Sequence, residues 1–205
     1  MDIAKLLPMA FVMIAGPQIL SAIFLATSEK WRQNSAAYVL GASLSISAIV
    51  TAAYLLGGGD SDGGPSSDTL YIVVLALLVF AAIHVFRTRE ESEPPKWMGK
   101  LQTASPGLSF KLGFLLLGIF PTDILTSVAV GGFLAGHGDP LWHYLPFLGL
   151  TLLFLALPAI LVLALGQRAQ TFLPKVRDWM NDNSWVVSEV VIVFFIVLTA
   201  SNLAG

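Results

Sequence analysis

The sequence predicts an all-α membrane protein with six transmembrane helices, arranged as two inverted three-helix repeats with both termini outside the cell. Hydrophobic residues make up 56% of the 205 residues, and charged residues make up only 12%. That charged share is about half of what an ordinary soluble domain carries, and the mean hydropathy is +0.78. A soluble fold of this size could not hide so much apolar surface. The sequence therefore predicts a multi-pass protein of the cytoplasmic membrane.

Six apolar segments are long enough to serve as spans, since a span needs about 20 mostly apolar residues. They are residues 6–27, 35–56, 70–86, 112–134, 141–165 and 185–203. The longest connector, residues 87–111, mixes charged residues with Pro94-Pro95 and Pro106-Gly107 and marks the boundary between two halves. This boundary predicts a first three-helix repeat at 1–86, a connector at 87–111 and a second repeat at 112–205.

Two of the other connectors have compositions that predict their structure. Residues 57–68 are rich in Gly, Ser and Asp, which is typical of a flexible polar loop. Residues 167–184 are either a short amphipathic helix at the membrane interface or a plain loop. In the helical alternative, Phe172, Val176 and Trp179 lie on one side.

The positive charges predict the orientation of the spans. Of the eleven lysines and arginines, ten lie in the connectors after the first, third and fifth spans, and only Lys5 lies on the other side. Because positively charged connectors stay in the cytoplasm, these three connectors are expected inside and both termini outside. The count of six spans and the alternation of charge agree with each other.

An odd number of spans in each half requires the two halves to have opposite orientations. Secondary transporters often have this arrangement, with the substrate site near the middle of the membrane at broken helices. The first span of each half carries a proline near its middle, Pro17 and Pro121. Polar residues follow each proline at once, Gln18 after the first and Thr122-Asp123 after the second. The matched prolines predict a shared functional centre.

Asp123 is the most informative residue of the chain. It lies close to the predicted bilayer centre, where a charged Asp costs about 2.5–3.5 kcal/mol on insertion scales. Such residues usually mark the path of an ion or substrate, although a protonated Asp that hydrogen-bonds a neighbouring helix is the structural alternative. Polar residues share its helix face at i+3 and i+4, and one shares the face of Gln18 at i+3. They are Thr126, Ser127 and Ser21 respectively.

Other polar and small residues within the spans indicate helix packing rather than a binding site. Ser43, Ser47 and Thr51 form an i+4 stripe that favours helix packing over a polar path. Gly113 and the pair Gly131-Gly132 are expected to let helices approach closely.

Three further groups of ionisable residues are expected near the ends of spans. Glu189 and His84 are expected at the membrane interface rather than in a site. His137 and His143 flank Asp139 on the outer side, which is too few ligands to predict a metal site.

Several function classes are excluded by what the sequence lacks. The chain has no cysteine, so thiolate metal sites and thiol catalysis are excluded. It has no phosphate-binding loop and no hydrolase motif, so neither an ATP-driven pump nor an enzyme is expected, and no cofactor is implied. Its basic residues form no cluster that would suit a nucleic acid.

Short motifs give the chain a resemblance to a known family. They are Gly16-Pro17-Gln18, then Asn34 leading into a small-residue second span with Gly41, and Phe120-Pro121-Thr122-Asp123 after the long connector. These motifs and the layout of the chain resemble the GAP family, the Sap-like proteins that address sulfolipids or export peptidoglycolipids, within the lysine-exporter (LysE) superfamily. The resemblance implies a six-span inverted-repeat fold and export of lipids or small amphiphiles. It carries functional roles to Pro17, Gln18, Pro121 and Asp123, although Phe120-Pro121 replaces the Asn-Pro that members often show.

The sequence thus predicts a secondary exporter with its site between the halves. Asp123 is expected to carry a coupling proton or to engage a cationic group, with Gln18, Thr122 and Thr126 as hydrogen-bond partners. The alternatives are an accessory membrane scaffold that helps to place lipids, and a cation channel or a carrier of metal ions or amino acids. The expected partners are the bilayer and a small-molecule or lipid substrate. Faces of small residues permit a homodimer without requiring one.

Overall fold

The structure, a computed structural model, describes residues 7–14, 17–57 and 98–183, together with residues 83, 186, 193, 196 and 197. The predicted spans at 70–86 and 185–203, the loop at 57–68, His84 and Glu189 lie outside these residues or almost wholly so. Residues 1–59 and 95–179 form one compact unit, and residues 60–94 and 180–205 form a second, which the described ranges barely enter.

The described part of the chain is helical and contains no strand, as predicted. Its seven α-helices are α1 (Leu7–Val12), α2 (Pro17–Ala26), α3 (Trp31–Gly57), α4 (Pro106–Ile119), α5 (Pro121–Gly136), α6 (Leu145–Leu165) and α7 (Gln167–Asp182). Two 3₁₀ helices, Met98–Thr103 and Leu141–Tyr144, precede α4 and α6.

Two of these helices, α3 and α6, correspond to predicted membrane spans. By length and apolar composition, Trp31–Leu56 and Leu141–Leu165 can each cross a bilayer, and the pair α4 and α5 can form a third, bent span. Their outward-facing side chains are apolar, with Leu40 63% exposed and Leu163 68% exposed. Within the described ranges, two or three spans are therefore supported, and these ranges hold only part of the predicted six.

The prolines of the first and fourth predicted spans stand where a helix begins. Pro17 and Pro121 are the first residues of α2 and α5, and the first predicted span is divided into α1 and α2. Phe120 adopts an extended conformation (φ −63°, ψ 126°), as expected of a residue that precedes proline. The axes of α4 and α5 are bent by 69° at this point. Proline fits the first position of a helix because its missing N–H would have no partner there.

Close packing around α3 holds the unit together. This helix packs most extensively against α4 and α5, and it also contacts α6. A Cβ placed at Gly41 would overlap the backbone of Phe110 in α4, and one at Gly113 would overlap the backbone of Tyr38 in α3. Backbone-to-backbone contact of this kind is typical of membrane helices with glycine at the interface.

The glycines expected at points of close helix approach differ in what surrounds them in the structure. The prediction is confirmed for Gly113 and for Gly131, whose Cβ would overlap the Val50 carbonyl. Among the described residues, a Cβ at Gly132 would meet no heavy atom within 4 Å, so the contact with α3 is made at Gly131. The two neighbouring residues point in different directions from α5, so only one of them can face α3.

Residues 167–182 are a helix, so the alternative of a plain loop is wrong. Gly166 separates this helix, α7, from α6 and has φ of 55°, a conformation that glycine adopts readily. One side of α7 is buried against the unit through Ala169 and Leu173, whereas Phe172 and Trp179 are 59% and 54% exposed.

Candidate functional site

The two proline-started helices bring their first turns together. Gln18 is the second residue of α2, and Asp123 is the third residue of α5. The side-chain amide of Gln18 donates a hydrogen bond from Nε2 to Oδ2 of Asp123 at 2.6 Å, across 105 positions of sequence. Both side chains are buried, with Gln18 1% and Asp123 0% exposed. The two residues singled out after the prolines are therefore direct partners.

A tyrosine from α3 supports this pair from a third helix. The Tyr38 hydroxyl donates to the backbone carbonyl of Gln18 at 2.9 Å, and the Tyr38 side chain is only 1% exposed. A buried tyrosine hydroxyl usually finds such a partner, because leaving it without one is costly. The contact fixes the first turn of α2 against α3 and so positions Gln18 toward Asp123.

Four buried polar atoms around the pair lack a hydrogen-bond partner within the described part of the chain. They are Gln18 Oε1, Asp123 Oδ1, Ser21 Oγ and Ser127 Oγ. Ser21 lies one turn after Gln18 in α2, and Ser127 lies one turn after Asp123 in α5, so each serine shares a helix face with its neighbour. Buried polar groups without partners are rare in folded proteins and often belong to sites that bind something.

The first turns of α2 and α5 also contribute electrostatically. Backbone N–H groups at the start of a helix have no partner within that helix and carry partial positive charge. Asp123 lies in the first turn of α5, where this field stabilises a negative group. Discontinuous helices whose N-termini face each other form the ion and substrate sites of many secondary transporters.

The remaining predicted site residues lie less centrally. Thr122 is exposed, and the Thr126 hydroxyl donates to the Thr122 carbonyl of its own helix at 2.7 Å. Pro17 and Pro121 contribute by starting the two helices. The structure therefore places Gln18, Asp123, Ser21 and Ser127 as a buried group, and it places Thr122 and Thr126 beside that group.

Comparison with known proteins identifies the family of the chain. The model of the family described as Sap, sulfolipid-1-addressing protein, matches residues 6–202. The chain belongs to this family. No curated protein and no solved structure matches it. The family match covers both proline motifs and nearly all of the sequence, in agreement with the resemblance that the motifs gave.

The histidine-rich segment of this Sap-family chain does not form a metal site in the described residues. His143 Nδ1 lies 3.6 Å from Asp139 Oδ1, and His137 instead contacts the Phe133 carbonyl of its own helix. Across the described residues, no group of three or more candidate metal ligands is found. The hydroxyl of Tyr54 donates to the Asp139 carbonyl at 3.0 Å, which ties this turn to the end of α3.

Sequence reasoning missed Tyr38 as part of the site of this Sap-family protein. It lies in the first two turns of α3, in a stretch of small residues where a large polar side chain is unusual. A tyrosine at such a position has to bury its ring and satisfy its hydroxyl, and this requirement could have indicated a contact to another helix. Nothing in the sequence indicated that the acceptor is the carbonyl of Gln18.

Replacing Tyr38 with phenylalanine is expected to destabilise the Sap-family fold by about 0.5–1.5 kcal/mol, the usual effect of losing one buried hydrogen bond. Unfolding of the purified chain in mixed micelles, titrated with denaturing detergent, measures this change. Tyr54→Phe is the matched control, because it removes a hydroxyl-to-carbonyl bond at a half-buried position away from the pair. Equal stability of Tyr38→Phe and the unmodified chain would show that the Tyr38 bond does not hold α2 in place.

Proposed function

We propose that this chain is a secondary exporter of lipids or small amphiphiles, driven by protons, with its centre at the start of α2 and α5. One observation carries the proposal: the buried hydrogen bond between Gln18 and Asp123 joins the two broken helices at their prolines. A buried ionisable group within a span usually serves an ion or substrate path. Membership in a family described by sulfolipid addressing supports a lipid as the cargo.

The proposed architecture is six spans in two inverted three-helix repeats, with both termini outside the cytoplasmic membrane. Its support is the distribution of positive charge and the parallel between the proline-started helices α2 and α5. In this arrangement α2 belongs to the first repeat and α5 to the second, so the Gln18–Asp123 contact joins equivalent points of the two repeats. Rocking of one repeat against the other would open the pair alternately to each side.

In the proposed cycle, Asp123 takes up and releases the coupling proton. Its Oδ2 atom accepts from Gln18, and its Oδ1 atom has no partner among the described residues. Gln18 Oε1 and the hydroxyls of Ser21 and Ser127 offer further polar atoms to a headgroup that passes the pair. The chain acts as a transporter and not as an enzyme in this proposal.

Reconstitution into liposomes with an imposed pH gradient tests the proposal. Fluorescent phospholipids, glycolipids, amino acids and divalent cations are offered as substrates, and protein-free vesicles are the control. We expect movement of a lipid or amphiphile that depends on the gradient and stops when a protonophore collapses it. Ionic conductance with no lipid movement would indicate a channel and contradict the proposal. No movement of any substrate would favour an accessory scaffold that needs another protein, and it would also contradict the proposal.

A further inference from the structure

Asp123 is a buried carboxyl without a basic partner in the described part of the chain. It is 0% exposed, and no lysine, arginine or histidine among the described residues is buried with it. The ion pairs found among these residues do not involve Asp123. An ionised carboxyl is costly to bury unless a positive charge lies beside it. Whenever Asp123 carries no proton, the site therefore needs a positive charge that these residues do not supply.

The side-chain atoms around Asp123 that lack a partner within the described residues are all oxygens. They are Gln18 Oε1 and Ser21 Oγ from α2, with Asp123 Oδ1 and Ser127 Oγ from α5. Each of these four residues is at most 1% exposed. The side-chain nitrogen of Gln18 is already engaged, because it donates to Asp123 Oδ2. Oxygens of carboxylate, amide and hydroxyl groups are the ligands that hard cations take in proteins.

Two backbone carbonyls that the prolines leave without a helical donor are directed at the same breaks. Proline has no N–H, so Pro17 and Pro121 offer no donor to the carbonyls of Met13 and Leu117, four residues earlier. Neither carbonyl accepts a backbone hydrogen bond from a described residue, and both residues are 0% exposed. Helix carbonyls point toward the C-terminal end of their helix, which here is the break. Unwound carbonyls at broken helices coordinate Na⁺ in many secondary transporters.

The two broken helices pack crosswise, which brings both sets of oxygens together. Helix α1 contacts α5, and α2 contacts α4, so each half of one broken helix touches the opposite half of the other. Four side-chain oxygens and two carbonyl oxygens are thus available, roughly the number that hard cations take. The set carries one negative charge, that of Asp123. A monovalent cation would neutralise it, whereas a divalent cation would leave a positive charge buried.

We propose that these oxygens bind a sodium ion between the starts of α2 and α5. The ion supplies the positive charge that an ionised Asp123 lacks, so the site holds either a proton on Asp123 or a sodium ion beside it. Na⁺ is favoured over the larger K⁺ because Gln18 and Asp123 are buried and in contact at 2.6 Å, which leaves little space. The role of the ion in transport rests on the proposed function, whereas its binding requires neither a gradient nor a cargo.

Equilibrium binding of radiolabelled Na⁺ to the full chain tests the site. The purified chain is held on scintillation beads in detergent, at a fixed pH and constant ionic strength. We expect saturable binding of one ion per chain. Unlabelled Na⁺ should displace the label, and K⁺ or Mg²⁺ should need a concentration at least about tenfold higher, since they fit the size or the charge of the site less well. Absence of saturable binding, or equal displacement by K⁺ or Mg²⁺, would overturn the proposal.

Variants of the side-chain oxygens locate the bound ion. Asp123→Asn keeps the size of the side chain and should abolish saturable Na⁺ binding. Ser21→Ala and Ser127→Ala each remove only a hydroxyl and should weaken the affinity about three- to tenfold. Ser109→Ala is the matched control, because Ser109 is equally buried but its hydroxyl donates to the Ser105 carbonyl at the start of α4. Binding retained in Asp123→Asn, or affinity in both serine variants equal to that of Ser109→Ala, would overturn the site.

Pro121→Ala tests the backbone ligand. Alanine restores an N–H that the Leu117 carbonyl can accept, so the affinity for Na⁺ should fall about tenfold. Pro158→Ala is the control, since Pro158 is a buried proline inside α6, a helix that supplies none of the proposed ligands. It should bind Na⁺ as the unmodified chain does. Unchanged affinity in Pro121→Ala would show that the carbonyl does not hold the ion and would overturn the site as proposed.

The binding assay distinguishes failure of the sodium site from failure of the proposed function. It measures the detergent-purified chain with no vesicle, no cargo and no pH gradient. Gradient-driven export by a chain that binds no Na⁺ would overturn the sodium site and leave the exporter standing. Saturable Na⁺ binding by a chain that exports nothing would overturn the exporter and leave the sodium site standing.

Discussion

Asp123→Asn is expected to abolish export driven by a pH gradient while the protein folds normally. The substitution keeps the size of the side chain and leaves an oxygen that can accept from the Gln18 amide, as Oδ2 does now at 2.6 Å. It removes only the ability to bind and release a proton. If that proton couples the cycle, gradient-driven flux in proteoliposomes should fall by about tenfold or more, which corresponds to at least about 1.4 kcal/mol of lost coupling.

The control for this variant is a matched change in a carboxyl outside the site. Asp182→Asn alters an exposed carboxyl near the end of α7 and should leave both flux and stability unchanged. Unfolding in mixed micelles shows whether Asp123→Asn keeps the fold. Gradient-driven flux equal to that of the unmodified chain would contradict the role of Asp123 in coupling, even if the protein proved to be an exporter by other criteria.

Exchanging the two side chains tests whether coupling needs the hydrogen-bonded pair itself or a carboxyl at position 123. The double variant Gln18→Asp with Asp123→Gln retains one amide and one carboxyl at the contact but moves the carboxyl to α2. Removing one partner of a buried hydrogen bond leaves the other unsatisfied and costs about 1–3 kcal/mol, so the single variant Gln18→Leu should be less stable than the exchange. Export that survives the exchange would show that the pair, rather than the first turn of α5, is what coupling needs.

The sequence pointed to the proline breaks and to Asp123 because proline and Asp carry strong local constraints. Proline cannot continue a helix without loss of a hydrogen bond, so two matched prolines indicated two matched breaks. A carboxyl within an apolar span has to find a partner or a ligand, which marked Asp123. The structure adds that Gln18 is that partner. The two residues are 105 positions apart, so no local sequence pattern could have indicated the contact.

The packing of the helices could be predicted only in part. Gly113 and Gly131 were recognised as points of close approach, whereas Gly132, assigned to the same role, would bring a Cβ near no heavy atom of the described residues. Small residues show that a helix face permits close approach, and they do not show which face a neighbouring helix uses. For the same reason the sequence did not mark Tyr38 as a support of α2.

Thr126 shows why helical spacing alone does not identify a tertiary partner. Thr126 follows Asp123 at i+3, and its hydroxyl binds the carbonyl of Thr122 in its own helix. Threonine often forms this bond within a helix, and doing so satisfies the hydroxyl without any tertiary contact. Helical spacing places Ser127 on the buried face of Asp123, whereas the Thr126 hydroxyl is already satisfied within its own helix.

The second large effect, a loss of stability, is expected at the glycines where α3 packs against α4 and α5. Gly131→Ala should destabilise the protein by about 1–3 kcal/mol, the usual cost of forcing an extra methyl group into a packed interior. A Cβ at this position would overlap the Val50 carbonyl and lie 2.8 Å from the Cβ of Ala53. Because one obstacle is backbone, it cannot move aside by a change of rotamer, and the two helices have to separate.

Gly113→Ala should have an effect of the same kind at the contact between α3 and α4. A Cβ there would overlap the Tyr38 carbonyl and lie 3.1 Å from the Ala42 nitrogen. Because Tyr38 lies at this contact, separating α3 from α4 would also disturb the 2.9 Å hydrogen bond from the Tyr38 hydroxyl to the Gln18 carbonyl. This variant should therefore lose gradient-driven export together with stability, although it leaves Gln18 and Asp123 unchanged.

Gly132→Ala is the matched control, one residue from Gly131 in the same helix. Its Cβ would meet no heavy atom of the described residues within 4 Å, so the expected effect is the better helix propensity of alanine, worth up to about 1 kcal/mol in favour of folding. Detergent-induced unfolding of the three variants, followed by circular dichroism, measures the order. We expect Gly113→Ala and Gly131→Ala to unfold well before the unmodified chain and Gly132→Ala to unfold with it or later. Equal loss in Gly131→Ala and Gly132→Ala would mean that helix flexibility, and not contact with α3, requires glycine at this point of α5.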